Sequence, residues 1–341
     1  MLNCVYRLVA PRTFDPVEVD VPVGEKDVIV RPQYLSICNA DMRYYLGKRD
    51  PRILMKKLPM ALIHESVGEV LYDPSGCFSR GTKVVLLPNN PHEKDPVIGE
   101  NYLRSSQFCG SGFDGFMQEY MFLPESRLVA LPENTDLQVA AFTEIVSVAM
   151  HAINRFNAIA HDRRERIGVW GDGNLGYLVS LLLRILYPDA EIIVLGHNEY
   201  KMAEFTFVSE TYHTDEIPGG LEIDHAFECC GGSGSEYAID QIIDLIRPEG
   251  TISLMGVSEN PVAINTRMVL EKGLRIFGSS RSARKDFEDV IGLYVNKPES
   301  FSYLSALVGN VFDVQNIADM KQAFEADLHK AMGKTIMEWN I

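Results

Sequence analysis

The chain has little of what several protein classes require. Its 341 residues carry 32 Lys and Arg against 47 Asp and Glu, a formal net charge of −15. That deficit of positive charge disfavours nucleic acid or an anionic membrane as a partner. Only six cysteines are present, at positions 4, 38, 77, 109, 229 and 230, two adjacent and none in a regular framework. They fit reduced thiols in a cytosolic protein better than disulfides. The longest apolar stretch, LGYLVSLLLRILY, contains Arg184 and is too short to span a bilayer. The opening MLNCVYRLVAPRTFDPVEV lacks a basic region followed by an apolar one, so no secretory signal is expected and the location should be cytoplasmic. No internal repeat or low-complexity segment occurs. What remains, 46% apolar and 23% charged, is a globular chain long enough for two domains.

The first 140 or so residues read as mostly β. Short runs such as DVIVRPQYLSI, VGEVLYD, TKVVLLP and MQEYMFLP are separated by Gly, Pro and Asn. Near Thr135 the pattern changes. TDLQVAAFTEIVSVAMHAINRF has helical spacing, and strands RIGVW, EIIVLG, IDHAFECC, GTISLMG and LRIFGSS then alternate with helices NLGYLVSLLLRILYP, KMAEFTFV and EYAIDQIIDLI. That alternation means βαβ units and a parallel sheet. From about Lys285 the pattern is helical up to a final strand, KTIMEWN. The expected class is α/β: a β-rich catalytic domain over 1–142 and 286–341, and a doubly wound nucleotide domain over 143–285.

GDGNLG supplies Gly171, Gly173 and Gly176 between a strand and a helix, with Asn174 and Leu175 inside the turn. A dinucleotide site needs this pattern: a tight turn, close approach to the pyrophosphate, and close helix–strand packing, with phosphates at the helix N-terminus. The apolar run too short for a membrane is then the helix that follows. An NAD site places an acid at the end of the second strand, and here Gly196 stands there. Glycine removes the repulsion of a 2′-phosphate, and His197, Asn198 and Lys201 follow as possible donors. This points to NADPH, and a Gly196→Asp change is expected to favour NADH. Gly256 and Val257, after GTISLM, complete the candidate cofactor residues.

Cys38 lies in SICNADMRYYLGKRD, His64 and Glu65 in PMALIHESVGEV, and Glu144 in FTEIVSV. Thiolate, imidazole and carboxylate together suit zinc with an open fourth position. Each has a plainer reading alone: a small buried hydrophobe, a satisfied core histidine, and an acid near a helix N-terminus.

Together, Cys38-x-x-Asp41, His64-Glu65, TEIVSVAMHA and GDGNLG resemble the zinc-dependent medium-chain dehydrogenase/reductase family over the whole chain. The resemblance implies a GroES-like catalytic domain, a Rossmann domain, a homodimer or tetramer, and one catalytic zinc. Cys38 and His64 would bind the metal, Glu65 would be a ligand or lie close by, and Glu144 would bind directly or through water. The chain also departs from the family. ENYLRSSQFCGSGFDGF holds only Cys109 where the family's structural zinc has four cysteines, so no structural zinc is expected. Ala40 and Arg43 replace the usual hydroxyl or histidine relay, and Ile63 replaces the glycine before the zinc histidine.

Within the family, RRERIGVWGDGNLGY, ENYLRSS and FGSSRSARKDFED resemble the ribulose-5-phosphate reductase branch of teichoic-acid and ribitol-capsule synthesis. That resemblance implies reduction of D-ribulose 5-phosphate, with the product passing to a ribitol-5-phosphate cytidylyltransferase. The residues agree in one respect. Arg43, Lys48, Arg49, Arg52, Lys56 and Lys57 form a positive island against the single acid Asp50. They read either as a sugar-phosphate entrance, with Arg43 the first choice for a direct role, or as a solvated loop. Arg281, Arg284 and Lys285 form a second cluster. The alternative functions are an NAD(P)-dependent zinc polyol or secondary-alcohol dehydrogenase on another substrate, and a non-catalytic binding protein of the same fold.

Overall fold

The computed structural model describes residues 1–341 throughout. They form two compact units, Met1–Ile145 with Ser282–Ile341, and Val146–Arg281.

The first unit opens with β1 (Leu2–Ala10), β2 (Thr13–Asp20) and β3 (Asp27–Ser36). The stretch just after β3, one of whose readings was a solvated loop, instead folds into α1 (Asn39–Tyr45) and α2 (Pro51–Lys57). Local chemistry explains the difference. The Asp41 carboxylate accepts the Cys38 backbone N–H at 3.0 Å, which closes the start of α1. Asp50 caps α2 by accepting from the Arg52 N–H at 2.8 Å, with Pro51 in the first turn.

Next come β4 (Met60–Ala61), β5 (Glu65–Tyr72), β6 (Lys83–Leu86), β7 (Asn89–Asn90), β8 (Gln107–Phe108), β9 (Met121–Pro124) and β10 (Leu128–Ala130). The helical stretch near Thr135 divides into α3 (Leu137–Ala140) and α4 (Thr143–Ile159).

The second unit alternates strand and helix. Its elements are β11 (Arg166–Trp170), α5 (Asn174–Leu186), β12 (Glu191–Gly196), α6 (Glu199–Met202), β13 (Glu210–His213), β14 (Ile223–Glu228), α7 (Gly234–Leu245), β15 (Ile246–Leu254), α8 (Thr266–Lys272) and β16 (Arg275–Gly278). All six strands are parallel, in the order β13-β12-β11-β14-β15-β16. That is the doubly wound order whose reversal point binds dinucleotides at the strands' carboxyl ends. The helix expected over KMAEFTFV is only one turn long. Phe205 and Phe207 are both buried, with ring centres 5.2 and 5.0 Å from Tyr177 of α5, and the chain there runs in turns closed by Phe205 N–H on Met202 and Val208 N–H on Phe205.

The chain then returns to the first unit as α9 (Arg284–Asn296), α10 (Ser300–Ser305), β17 (Val308–Val314), α11 (Ile317–Asp327) and β18 (Lys334–Trp339). β17 lies inside a region that reads as helical. Its Gly309, Asn310 and Asp313 hide a strand that is fixed by pairing with β18. The main sheet of this unit runs β10-β6-β5-β3-β18-β17, with β9 also on β3. Phe14, Tyr45 and Phe324 join its elements through ring contacts of 4.7–5.8 Å.

Candidate active site

Sheet register assembles the first site. β5, β3 and β18 are neighbours, with Ser36 opposite Glu65 and Ile336 opposite Ser36. Cys38 follows the end of β3, His64 precedes β5, and Lys334 opens β18. Donor atoms of Cys38, His64 and Glu65 all lie within 4.8 Å of one another. His64 and Glu65 are buried and Cys38 is half-buried.

Asp41 links the backbones of both arms. One oxygen accepts from Cys38 N–H at 3.0 Å; the other accepts from Ile63 N–H at 3.0 Å and lies 3.5 Å from His64 Nδ1. The carboxylate therefore orients the imidazole and leaves Nε2 for a metal. It also steadies Ile63, whose φ of 72° is unusual for a β-branched residue. A glycine would adopt that angle without strain. Ile63 keeps it through its N–H to Asp41 and its carbonyl, which accepts from Phe116 N–H at 2.8 Å.

Glu65 is deeply buried and bound at both oxygens. Ser36 Oγ donates to one at 2.7 Å, and Lys334 Nζ donates to the other at 2.8 Å. Lys334 is 2% exposed. Burial alone would lower its pKa, but Glu65 and Cys38 outweigh that and raise it, so the ammonium stays charged. Glu144, near the start of α4, is buried but lies outside the trio. Burial pushes its carboxyl up to about 7, opposed by His64 and reinforced by Glu65.

The arrangement passes a test for zinc. The donor atoms of a cysteine, an imidazole and a carboxylate lie within 4.8 Å of one another, a set that suits zinc. Burial should lower the His64 pKa, yet Asp41 and Cys38 raise it well above its usual value, so a metal binding there displaces a proton.

The single-cysteine lobe, Glu100–Phe116, is tied down by other bonds. Glu100 takes two bonds from the buried Arg127 at 3.0 and 3.1 Å and a third from Arg284 N–H at 3.0 Å. Asp114 takes a forked pair from Arg7 and accepts from Ala61 N–H at 2.8 Å. Arg284, one of the second basic cluster, is thus a structural tie. Lys285 pairs with Asp289 on the exposed side of α9.

In the second unit, every candidate cofactor residue lies at the carboxyl edge of the sheet. A Cβ on Gly176 would lie 1.9 Å from the Gly171 carbonyl oxygen, and one on Gly171 would press the Cys229 backbone at 2.9 Å. A Cβ on Gly173, which caps α5, would meet nothing within 4 Å. Two glycines therefore allow close packing and the third leaves open space at the helix N-terminus, as a pyrophosphate site needs. Gly256 touches the buried Glu228, and Val257 is exposed.

Three contributors to this edge carry no motif. Asp172 accepts both the His197 and Asn198 N–H groups at 2.8 Å and so fixes the turn after β12. Glu228 gathers the Cys230, Gly231 and Gly256 N–H groups and the Ser235 hydroxyl at 2.9–3.1 Å. His213 approaches the His197 carbonyl at 3.1 Å. An acid ending a buried strand, as in FECC, is the one signal that could have pointed to Glu228. Asn198 Oδ1 accepts from Lys201 N–H at 3.2 Å, and His197 Nδ1 lies 2.8 Å from Thr214 Oγ1.

Gly196 has a second constraint. A Cβ there would lie 2.8 Å from Asp172 Cβ, 2.9 Å from its bonded Oδ2 and 3.0 Å from Met202 Sδ. Gly196→Asp should therefore weaken binding of both nucleotides through overpacking, and of NADPH the more, because the new carboxylate also repels the 2′-phosphate. Fluorescence titration of both nucleotides checks this; NADPH bound as tightly as by the wild type would contradict it.

Comparison with known proteins agrees with this geometry. The "Alcohol dehydrogenase GroES-like domain" model matches residues 24–133, and the "Zinc-binding dehydrogenase" model matches 190–296. The chain belongs to the zinc-binding dehydrogenase family. Among its relatives, ribulose-5-phosphate reductase 1 of Staphylococcus aureus is 53% identical, covering 99% of both chains. Ribulose-5-phosphate reductase of Bacillus spizizenii is 52% identical over the full length of both. The crystal structure of Staphylococcus aureus TarJ in complex with NADPH superposes with a TM-score of 0.90, at 48% identity over both whole chains.

Proposed function

We propose that this protein is an NADPH-dependent zinc reductase that converts D-ribulose 5-phosphate to D-ribitol 5-phosphate. The observation that carries the reading is the Cys38–His64–Glu65 trio at the head of a helix whose continuation is strongly basic. Full-length relatives named for this activity support it.

Cys38, His64 and Glu65 would hold the zinc, with Glu144 the carboxylate that can take a ligand position from α4. Bound there, zinc supplies a Lewis acid for the ketone oxygen at C2. The protein's own part is positional. Asp41 fixes the imidazole, and Ser36 and Lys334 hold Glu65. When bound, NADPH would supply the hydride that carries C2 from ketone to secondary alcohol, and a proton would complete the hydroxyl. Gly171–Gly176 and the α5 N-terminus receive the pyrophosphate. Gly196 leaves space for the 2′-phosphate, within reach of His197, Asn198 and Lys201.

The relatives' activity supports a place before a ribitol-5-phosphate cytidylyltransferase in teichoic-acid or capsule synthesis. A cytoplasmic homodimer or tetramer is the form proposed. The six cysteines are free, and no helix is long and apolar enough to cross a membrane.

Initial rates with NADPH or NADH, each on D-ribulose 5-phosphate and on D-ribulose, test the function. NADPH with the phosphorylated sugar should be fastest by at least about tenfold, since a charge-assisted contact is worth about 1.5–3 kcal/mol. Equal rates on both sugars would contradict the substrate assignment.

A further inference from the structure

The structure sorts the six basic residues of the island into two sets. Lys48, Arg52 and Lys56 are exposed, whereas Arg43, Arg49 and Lys57 are half-buried. The second set gathers around one side chain, the buried Tyr44 of α1. The Arg49 guanidinium lies 5.0 Å from the centre of the Tyr44 ring and Lys57 Nζ 5.6 Å from it. Lys57 Nζ also donates to the Tyr44 hydroxyl and to Ser111 Oγ, both at 2.9 Å. Arg43, the residue before Tyr44, completes the group, and burial and the charge of Arg49 both lower its pKa.

We propose that Arg49, Lys57 and Ser111, with Arg43 beside them, form the seat for the substrate's 5-phosphate and so select a phosphorylated ketose over a free one. This rests on the substrate reading given above.

Three physical points carry it. Like charges gathered in a half-buried place repel one another, and a bound dianion turns that repulsion into attraction. Lys57 also keeps a donor in hand. An ammonium has three N–H groups, and Lys57 uses two on hydroxyl oxygens. The third remains, and each of those hydroxyls keeps its own proton to donate.

Reach is the last point. Tyr44 stands three residues after Asp41 on the same face of α1, about 4.5 Å along the axis. Asp41 in turn lies against His64. The C2 carbon of an extended pentulose is roughly 6 Å from its 5-phosphorus, five bonds away. A seat about one turn of α1 away from the trio matches that span.

The lobe with the single cysteine gains a role here. It brings Ser111 to Lys57, and Gly112, with φ of +95°, lies against the Lys57 stem, where an added Cβ would sit 3.5 Å from Cγ.

The experiment compares kcat/KM for D-ribulose 5-phosphate with that for D-ribulose in wild type and five variants. In Arg49→Met and in Lys57→Met the ratio between the two sugars should fall about tenfold to a hundredfold, as for loss of one charge-assisted contact. In Lys48→Met and Lys56→Met it should stay within about twofold, since both side chains are solvated. Ser111→Ala, which keeps every charge, should lower the ratio by about threefold or more, the smaller effect of a neutral donor. General destabilisation would lower both sugars alike and leave the ratio in place. A preserved ratio in Arg49→Met and Lys57→Met, with the wild-type preference intact, would overturn the seat alone. A wild type that does not prefer the phosphorylated sugar would overturn the substrate reading and the seat together.

Discussion

Cys38→Ala is expected to bind almost no zinc and to lose at least about a thousandfold in kcat while still folding and binding NADPH. The size follows from the chemistry. Charge stabilisation by a Lewis acid contributes several kcal/mol, and about 4 kcal/mol is a factor of a thousand. The fold should survive because Cys38 caps α1 through its backbone. Its N–H goes to Asp41 at 3.0 Å and its carbonyl accepts from Met42 N–H at 3.1 Å, and alanine keeps both. NADPH binding should survive because every candidate cofactor residue lies within Val146–Arg281. Metal analysis, NADPH titration and turnover of the same preparation check this. Near-normal turnover would contradict the ligand role of Cys38.

Lys334→Met should destabilise the protein by about 3–5 kcal/mol, the range for removing one partner of a buried ion pair. Lys334 is 2% exposed and Glu65 is 0% exposed, with Nζ 2.8 Å from the carboxylate. Methionine fills much of the volume but leaves a buried negative charge that the Ser36 hydroxyl cannot neutralise. Adding Glu65→Gln removes that charge, so the double variant should regain most of the loss. The non-additivity measures the pair. Urea unfolding of the four proteins reports it; a loss below about 0.5 kcal/mol for Lys334→Met would show that Glu65 does not depend on this lysine.

The two cases also show what the sequence could reveal. Cys38, His64 and Glu65 stand out because their residue types and order fit one chemistry, and the sheet brings them together. The nucleotide domain is legible because long helices and buried strands have distinct periods, and GDGNLG sits between one of each. Lys334 is not legible. It is 269 residues from Glu65, and only the β5-β3-β18 pairing makes them neighbours. Asp41 reads as part of a motif, but its bond to Ile63 depends on how α1 meets the chain before β5. Asp172 reads as a spacer between glycines; its hold on the turn after β12 appears only when two strand ends are side by side. β13 is short and polar, and β17 carries Gly309, Asn310 and Asp313, so pairing rather than propensity determines them. The basic island shows the same limit in reverse. Its charge is visible as a run of letters, but capping by Asp41 and Asp50 turns it into two helices and divides inward from outward side chains.

The most direct test measures ribulose-5-phosphate-dependent NADPH oxidation by wild-type protein against its zinc content. Protein stripped by a chelator and reloaded in steps should gain activity in proportion to zinc, up to about one ion per chain. A rate that persists in zinc-free folded protein would contradict a catalytic metal at Cys38, His64 and Glu65, and a stoichiometry near two would contradict a single site.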